Sequence, residues 1–219
     1  MIFVNFKTFE EGTGENALKL ITILEEASKA FSIPVIPVLQ ALDVKEAANV
    51  SNLEIWTQHV DPVGFGAHTG TILPEAVFGD GAKGTFLNHS EHKFTEFATL
   101  MEAHKRAKEA GLKTLIFAGD AAELEKVSGL KPDYLAYEPP ELVGSTTTSV
   151  SSTHPDIVAK ASEISKKYSL PLIVGAGVHS REDVEKSIEL GAMGVAVATD
   201  IVKALDPKKE LEDLLAGFK

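Results

Sequence analysis

Cysteine is absent from the 219-residue chain. Its absence excludes disulfide bonds, thiolate metal ligands and a cysteine nucleophile, and it favours a reducing, cytoplasmic location. Long apolar runs are also absent, because no stretch approaches the roughly 18 residues that cross a bilayer. The amino terminus lacks the charged start and the cleavage site of a signal peptide. We therefore expect a cytoplasmic protein with no membrane partner.

Positive charge is scarce in this sequence. The chain has 21 Lys and Arg residues against 32 Asp and Glu residues, which gives a formal net charge of −11. Nucleic acids and anionic membranes are bound by basic surfaces, so the composition argues against both as partners. An anionic small molecule can bind only where a local positive feature outweighs the overall negative field.

Several common catalytic motifs are missing as well. No G-x-G-x-x-G turn follows the first predicted strand, and neither a G-x-S-x-G elbow nor an H-E-x-x-H metal motif occurs. His89 and His92 have no cysteine or aspartate cluster beside them, so no metal site is expected. Glu138 and Glu141 are too close in sequence to flank a sugar from opposite sides. The sequence thus argues against dinucleotide-binding, serine hydrolase, zinc and glycosidase chemistry.

The chain does contain a regular alternation of short apolar runs and amphipathic segments, and 44% of its residues are hydrophobic. The predicted strands cover residues 2–6, 35–39, 54–58, 83–87, 114–118, 133–137, 172–174 and 194–198. A helical pattern follows each strand, and the last helix is expected to break near Asp206 and Pro207. This order predicts an α/β fold, a (β/α)₈ TIM barrel in a single domain over residues 1–219. An open doubly wound sheet is the alternative.

Glu138 stands where the sixth predicted strand, residues 133–137, ends. Pro139 holds Glu138 in an extended conformation, and Pro140 stiffens the next step of the chain. The small polar residues of segment 144–152 predict a flexible lid. A carboxylate held beside a rigid hinge and a lid suits a general base, although an ordinary loop carboxylate would leave the same local pattern.

Other polar groups follow the remaining strands, and a barrel brings the ends of its strands to one mouth. These groups are Asn5 and Lys7, Asn88 to Glu91, Gly175 to Gly177, and Ala198 with Thr199. Taken alone, each group has an ordinary structural interpretation. Lys7 could be a solvated surface lysine and His89 a loop histidine, and the glycine turn could be only a tight connection between strand and helix. Taken together, they suggest a neutral imidazole that polarises an oxyanion and backbone N–H groups that bind phosphate.

In this order the motifs resemble triosephosphate isomerase, in its short archaeal-type branch. The motifs are Asn5-Phe6-Lys7, Asn88-His89-Ser90-Glu91, Tyr137-Glu138-Pro139-Pro140-Glu141-Leu142-Val143-Gly144 and Gly175-Ala176-Gly177. The resemblance covers essentially the whole chain. It implies the interconversion of dihydroxyacetone phosphate and D-glyceraldehyde 3-phosphate through an enediolate, in glycolysis and gluconeogenesis, with no cofactor.

The resemblance also implies a role for each matching residue. Glu138 corresponds to the base that moves the proton between the two substrate carbons, and His89 to the neutral group that polarises the carbonyl. Lys7 corresponds to the fixed positive charge, which Asn5 positions while contacting substrate. Glu91 corresponds to the carboxylate beside that lysine.

Four residues match positions that surround the substrate phosphate in this family, namely Val143, Gly177, Ala198 and Thr199. Asp200 follows directly, and we expect it to cap a helix and to face away from the phosphate. The loop around Phe65 to Gly70 resembles the family's interface loop, which implies a homodimer or a homotetramer. The lid departs from the family pattern because residues 145–149 lack its second glycine.

Two other readings compete with the isomerase. Phosphate-binding barrels of tryptophan or thiamine biosynthesis share the turns after strands seven and eight, but the combination of Lys7, His89 and Glu138 does not suit them. A non-catalytic or lid-impaired barrel of the same family is the second. Loss of chemical residues is expected of a non-catalytic barrel, and all three residues are present.

Overall fold

The computed structural model describes residues 1–139 and 155–218, and its strands form one closed barrel in sequence order. The strands are β1 Ile2–Asn5, β2 Val35–Leu39, β3 Trp56–Thr57, β4 Gly84–Leu87, β5 Lys113–Ala118, β6 Tyr134–Tyr137, β7 Leu172–Val174 and β8 Gly194–Val197. Neighbouring strands are parallel, and β1 closes the barrel by pairing with β8. The predicted (β/α)₈ barrel is confirmed.

Helices separate the strands and cover the outside of the barrel. They are α1 Glu15–Phe31, α2 Val44–Val50, α3 Pro74–Gly79, α4 Phe97–Glu109, α5 Ala121–Ser128, α6 Pro155–Tyr168, α7 Arg181–Glu189, α8 Thr199–Val202 and α9 Pro207–Ala216. Short 3₁₀ helices occur at Glu10–Gly12, Ala41–Asp43 and Ser90–His92. The predicted break before Pro207 is confirmed, because α8 and α9 are separate. No helix among the described residues is long and apolar enough to cross a membrane.

The third strand is shorter than the predicted range 54–58, and the residue before α2 makes an unexpected contact. The third strand is only Trp56–Thr57, because Ile55 and Gln58 make single backbone hydrogen bonds to Lys83 and Leu39 outside the paired register. Asp43 precedes α2, but its side chain does not cap that helix. Its carboxylate instead accepts a hydrogen bond from the Gly14 N–H at 3.2 Å, which joins it to the start of α1.

Alternation along each strand divides the apolar residues between two cores. Phe3 points into the barrel, whereas Ile2 and Val4 on either side of it pack under the helices. The barrel interior is a cluster of Phe3, Ile36, Val38, Trp56, Phe86, Leu115, Phe117, Ala136 and Ile173. Its aromatic rings pack largely edge to face, with the Phe3 and Trp56 centroids 5.1 Å apart. The barrel is therefore filled below its mouth, which confines any site to the strand ends.

Candidate active site

A cavity opens at the carboxyl ends of the strands, and we call it the mouth cavity. It is lined by Asn5, Lys7, Phe86, His89, Phe117, Glu138, Ala176, Gly177, Val178, His179, Ala196, Val197, Ala198, Thr199 and Asp200. The period of two along a strand explains part of this set. Asn5 and Glu138 each stand two residues beyond an inward-facing residue, Phe3 and Ala136 respectively. The same alternation that fills the barrel therefore aims polar groups into its mouth.

Lys7 is held in place through both its backbone and its side chain. Its backbone has a φ of 49°, which is left-handed and unusual for a residue with a side chain. The Asn5 carboxamide oxygen accepts the Lys7 backbone N–H at 3.0 Å, and the Gln58 amide donates to the Lys7 carbonyl at 2.8 Å. The ammonium donates to the Glu91 carboxylate at 2.7 Å. A positive charge is thus fixed at the cavity wall of an acidic protein.

His89 enters the cavity because the residue before it leaves the strand pattern. Asn88 adopts a φ of 61°, and its side chain turns toward β5, where it donates to the Phe117 carbonyl at 3.0 Å. It also donates to the Glu123 carboxylate at 2.9 Å and accepts from the Phe94 N–H at 3.2 Å. These three hydrogen bonds fix the backbone from which the imidazole projects. Sequence reasoning placed Asn88 in the motif but gave it no role.

The hydrogen bonds of His89 define which ring nitrogen carries the proton. The Glu91 backbone N–H donates to Nδ1 at 3.2 Å. An N–H group can only donate, so Nδ1 is the bare acceptor and the proton of the neutral ring lies on Nε2. The Glu91 carboxylate lies 3.7 Å from the same Nδ1, too far for a hydrogen bond. Nε2–H is therefore the group that His89 can offer to a ligand.

Glu138 follows the last residue of β6 and is 8% exposed. Its Oε2 accepts a hydrogen bond from the Ser90 hydroxyl at 2.8 Å and lies 3.6 Å from His89 Nε2. The latter distance is too long for a hydrogen bond, so the carboxylate and the imidazole N–H remain separate functional groups. A Cβ atom at Gly175 would lie 3.3 Å from Glu138 Oε1, so a glycine there leaves room for the carboxylate. The role of Ser90 was missed in the sequence.

The turns after β7 and β8 form the opposite wall of the cavity. Ala176 and Gly177 have φ values of 73° and 65°, a left-handed pair that turns the chain sharply after β7. Ala198 precedes α8, whose first residue is Thr199. Backbone N–H groups at such turns and helix starts are suited to hold phosphate oxygens. All three predicted phosphate residues among the described positions, Gly177, Ala198 and Thr199, line the mouth cavity.

The expectation for Asp200 was wrong. Its carboxylate does not cap α8, since the residue before that helix is Ala198 and no side chain caps it. Asp200 instead lines the mouth cavity and lies 3.0 Å from Nδ1 of His179. Sequence reasoning assigned no function to His179, and the only available signal was its position two residues after the Gly177 turn.

Some predicted features lie outside the described residues. They are Val143, Glu141 and the lid segment 144–152, including residues 145–149. Within residues 1–139 and 155–218, no group of three or more His, Asp and Glu side chains is arranged to hold a metal ion.

Comparisons with known proteins give a consistent family. The sequence model of the triosephosphate isomerase family matches residues 1–215. A triosephosphate isomerase of Saccharolobus solfataricus is 40% identical over 218 residues, which cover 99% of this chain and 95% of that protein. One from Methanothermus fervidus is 36% identical over 98% of this chain and 97% of its own length.

Similarity in structure extends to more distant sequences. The crystal structure of triosephosphate isomerase from Bartonella henselae superposes with a TM-score of 0.75 and covers 99% of this chain and 96% of that one. Its sequence identity is 17%, so this likeness supports the fold alone.

Proposed function

The chain belongs to the triosephosphate isomerase family, and from this premise we propose that Glu138, His89 and Lys7 perform the isomerisation in the mouth cavity. The chain is an intramolecular aldose–ketose isomerase that interconverts dihydroxyacetone phosphate and D-glyceraldehyde 3-phosphate. The observation that carries the proposed site is the convergence of a carboxylate, an imidazole N–H and an ammonium on one cavity.

Glu138 acts as the base in this proposal. Its carboxylate removes a proton from the hydroxymethyl carbon of dihydroxyacetone phosphate, and the C–H electron pair forms the carbon–carbon double bond of the enediolate. A proton then moves from the oxygen of that carbon to the former carbonyl oxygen, and the carboxylic acid returns its proton to the neighbouring carbon, which leaves the aldehyde at the first carbon. Burial at the end of β6 supports this role, because a base that reacts with carbon has to be shielded from water.

His89 and Lys7 stabilise the negative charge that appears on the substrate oxygens. The Nε2–H of His89 is available to donate to an enediolate oxygen, because Nδ1 is already used as an acceptor. Lys7 supplies a fixed positive charge whose ammonium is held by Glu91. Asn5 contributes by fixing the Lys7 backbone, and it lines the cavity close enough to contact substrate.

The phosphate group of the substrate binds at the wall formed by the turns after β7 and β8. Backbone N–H groups at Gly177 and at the Ala198–Thr199 start of α8 serve as donors in this proposal. The left-handed φ values of Ala176 and Gly177 support it, since successive turned peptides create concave donor sites for anions. Val143 is assigned to the same phosphate by family resemblance alone.

Self-association through the loop around Phe65 to Gly70 is part of the proposal, as a homodimer or a homotetramer. Phe65 is 82% exposed and so offers a large apolar side chain to a partner chain, and aromatic side chains are enriched in interfaces. The loop is anchored at its base, because Asp61 and Ile72 exchange hydrogen bonds. A cavity of about 770 Å³ lies beside Lys7 and includes Leu42, which is itself 92% exposed.

A cytoplasmic location follows from a substrate of central carbon metabolism.

A coupled assay of triose phosphate interconversion tests the proposed site, with Glu138→Gln as the decisive variant. Loss of the general base should lower kcat by about 10²–10⁴-fold while the circular dichroism spectrum stays unchanged. Glu102→Gln is the matched control, because Glu102 lies on the exposed side of α4, away from the mouth cavity. Equal turnover in the wild type and in Glu138→Gln would remove Glu138 from the mechanism. A folded but inactive wild type would contradict the function itself.

A further inference from the structure

His179 and Asp200 form an acid–base pair that joins the two turns of the proposed phosphate site. His179 follows the Gly177 turn after β7, and Asp200 is the second residue of α8 after β8. Nδ1 of the imidazole lies 3.0 Å from Oδ2 of the carboxylate. Both residues line the mouth cavity together with Lys7 and Glu138. The pair therefore belongs to the wall that faces the substrate.

The imidazole is oriented by this contact. A carboxylate oxygen accepts hydrogen bonds, so the proton of the shared hydrogen bond lies on Nδ1 of His179. The other ring nitrogen, Nε2, is buried and has no hydrogen-bond partner among the described residues. Leaving a ring nitrogen buried without a partner is unfavourable. The hydrogen bond from Nδ1 to Asp200 offsets this cost and holds the ring in this position.

The backbone of His179 is fixed independently of its ring. The Asp183 carboxylate at the start of α7 accepts the His179 N–H at 3.0 Å and a hydrogen bond from the Ser180 hydroxyl at 3.3 Å. Asp183 is 7% exposed. His179 thus lies between two carboxylates, and among the described contacts of Asp200 its imidazole is the hydrogen-bond donor.

A carboxylate at this position opposes the proposed substrate. A phosphate dianion and an unpaired carboxylate on the same cavity wall repel each other, and this repulsion is strong where water is partly excluded. The Nδ1–H of His179 points at the Asp200 carboxylate and offsets its charge. Such a contact also holds the β7 and β8 turns at a constant separation.

We propose that His179 is a positioning residue that offsets the Asp200 charge and ties the two turns together, so that a phosphate monoester dianion can bind beside them. The inference rests on the proposed function, because it takes the substrate phosphate to bind at these turns. It goes beyond that function by assigning His179 and Asp200 to the control of phosphate affinity rather than to the proton transfer.

A set of variants separates charge compensation from a purely structural link. His179→Ala leaves Asp200 unpaired, and we expect KM for triose phosphate to rise about tenfold, with kcat within about twofold of the wild type. His179→Ala combined with Asp200→Asn lacks both the link and the charge, and we expect its KM to return to within about threefold of the wild type. A structural link alone predicts that the double variant binds no better than His179→Ala.

The control for net charge is Glu26→Gln, which removes one negative charge on α1. Glu26 pairs with Lys208, and neither residue lines the mouth cavity. Its KM should equal that of the wild type. If Glu26→Gln rescues His179→Ala as well as Asp200→Asn does, or if the double variant keeps the high KM, the proposal is overturned. Should His179→Ala not fold, His179→Leu, which also has no donor for Asp200, replaces it in the same cycle.

Binding of inorganic phosphate, measured by calorimetry, provides a readout without turnover. We expect weaker phosphate binding in His179→Ala and its recovery in the double variant. An active wild type with unchanged phosphate affinity in His179→Ala would overturn this inference and leave the proposed function intact. The wild type could instead be inactive while phosphate affinity still falls in His179→Ala and recovers in the double variant. That result would overturn the proposed function and support the role of the pair.

Discussion

Three residues at the mouth of the barrel adopt left-handed backbone conformations shortly after strands. Within residues 1–139 and 155–218, six non-glycine residues have positive φ values, and Ser32, Lys131 and Ser169 among them lie in connections that follow helices. Left-handed residues are common after a helix. Lys7, Asn88 and Ala176 instead follow strands at the proposed site. Strain of this kind costs about 1–3 kcal/mol per residue and persists where the surrounding hydrogen bonds enforce it.

The charge of Lys7 should determine how tightly a dianion binds. In Lys7→Met we expect KM for triose phosphate to rise about 10- to 100-fold, which corresponds to the about 1.5–3 kcal/mol of a charged hydrogen bond. Steady-state kinetics measure it. Lys105→Met on α4 removes the same charge at an exposed position and should leave KM unchanged. An unchanged KM in Lys7→Met, or an equal rise in Lys105→Met, would contradict a local role for Lys7.

At the scale of elements, side-chain hydrogen bonds and salt bridges connect parts of the chain that are separate in sequence. Glu25 on α1 shows this most clearly. Its carboxylate accepts hydrogen bonds from Ser51 and Asn52 beyond the end of α2. The Lys29 ammonium, with help from these two groups, lowers the pKa of Glu25 to about 2. A lowered carboxylate pKa stabilises the fold above the unfolded pKa, so this contribution is lost as pH falls from about 4.5 toward 2.

The close contact between β3 and β4 requires a glycine. Gly84 pairs with Trp56 across the two strands, and a Cβ atom at Gly84 would lie 2.4 Å from the Trp56 indole. Gly84→Ala should therefore lower the free energy of unfolding by about 1–3 kcal/mol, the usual effect of overpacking a core. Urea denaturation measures the change.

The matched control is Gly79→Ala at the end of α3, where an added Cβ would meet nothing within 4 Å. Alanine there should leave the stability unchanged or raise it by up to about 1 kcal/mol. If Gly84→Ala were as stable as Gly79→Ala, the indole would have to occupy another position in the barrel interior.

At the scale of the whole molecule, the proposed surface for self-association contains the exposed side chain of Phe65. In the wild type we expect a mass of two or four chains of 23.4 kDa by sedimentation at several concentrations. Phe65→Ser should shift this equilibrium to the monomer, because Phe65 is the large apolar side chain at the tip of the proposed interface loop.

Leu205→Ser provides the control for apolar exposure in general. Leu205 is fully exposed, but it lies between α8 and α9, apart from the loop of Phe65. Its replacement should leave the mass of the assembly unchanged. A monomeric wild type, or a Phe65→Ser variant that keeps the wild-type mass, would contradict association through this loop.

The sequence by itself determined the order of the elements and the groups at the strand ends. Periodicity of apolar residues is local, and it was sufficient to locate all eight strands and the helical segments between them. The common direction of parallel strands then predicts that Lys7, His89 and Glu138 meet at one mouth. All three line the same cavity.

Only the tertiary structure decided which side chains orient these groups. The contacts of Ser90 with Glu138, of Asn88 with Glu123 and of His179 with Asp200 span 48, 35 and 21 residues. No local pattern encodes such pairs, because each depends on the side-chain direction of two turns brought together by barrel closure. Asp200 shows the consequence. Its place in the sequence is typical of a helix cap, whereas in the structure it contacts His179 and lines the cavity. Hydrogen bonding depends on distance in space and not on position along the chain.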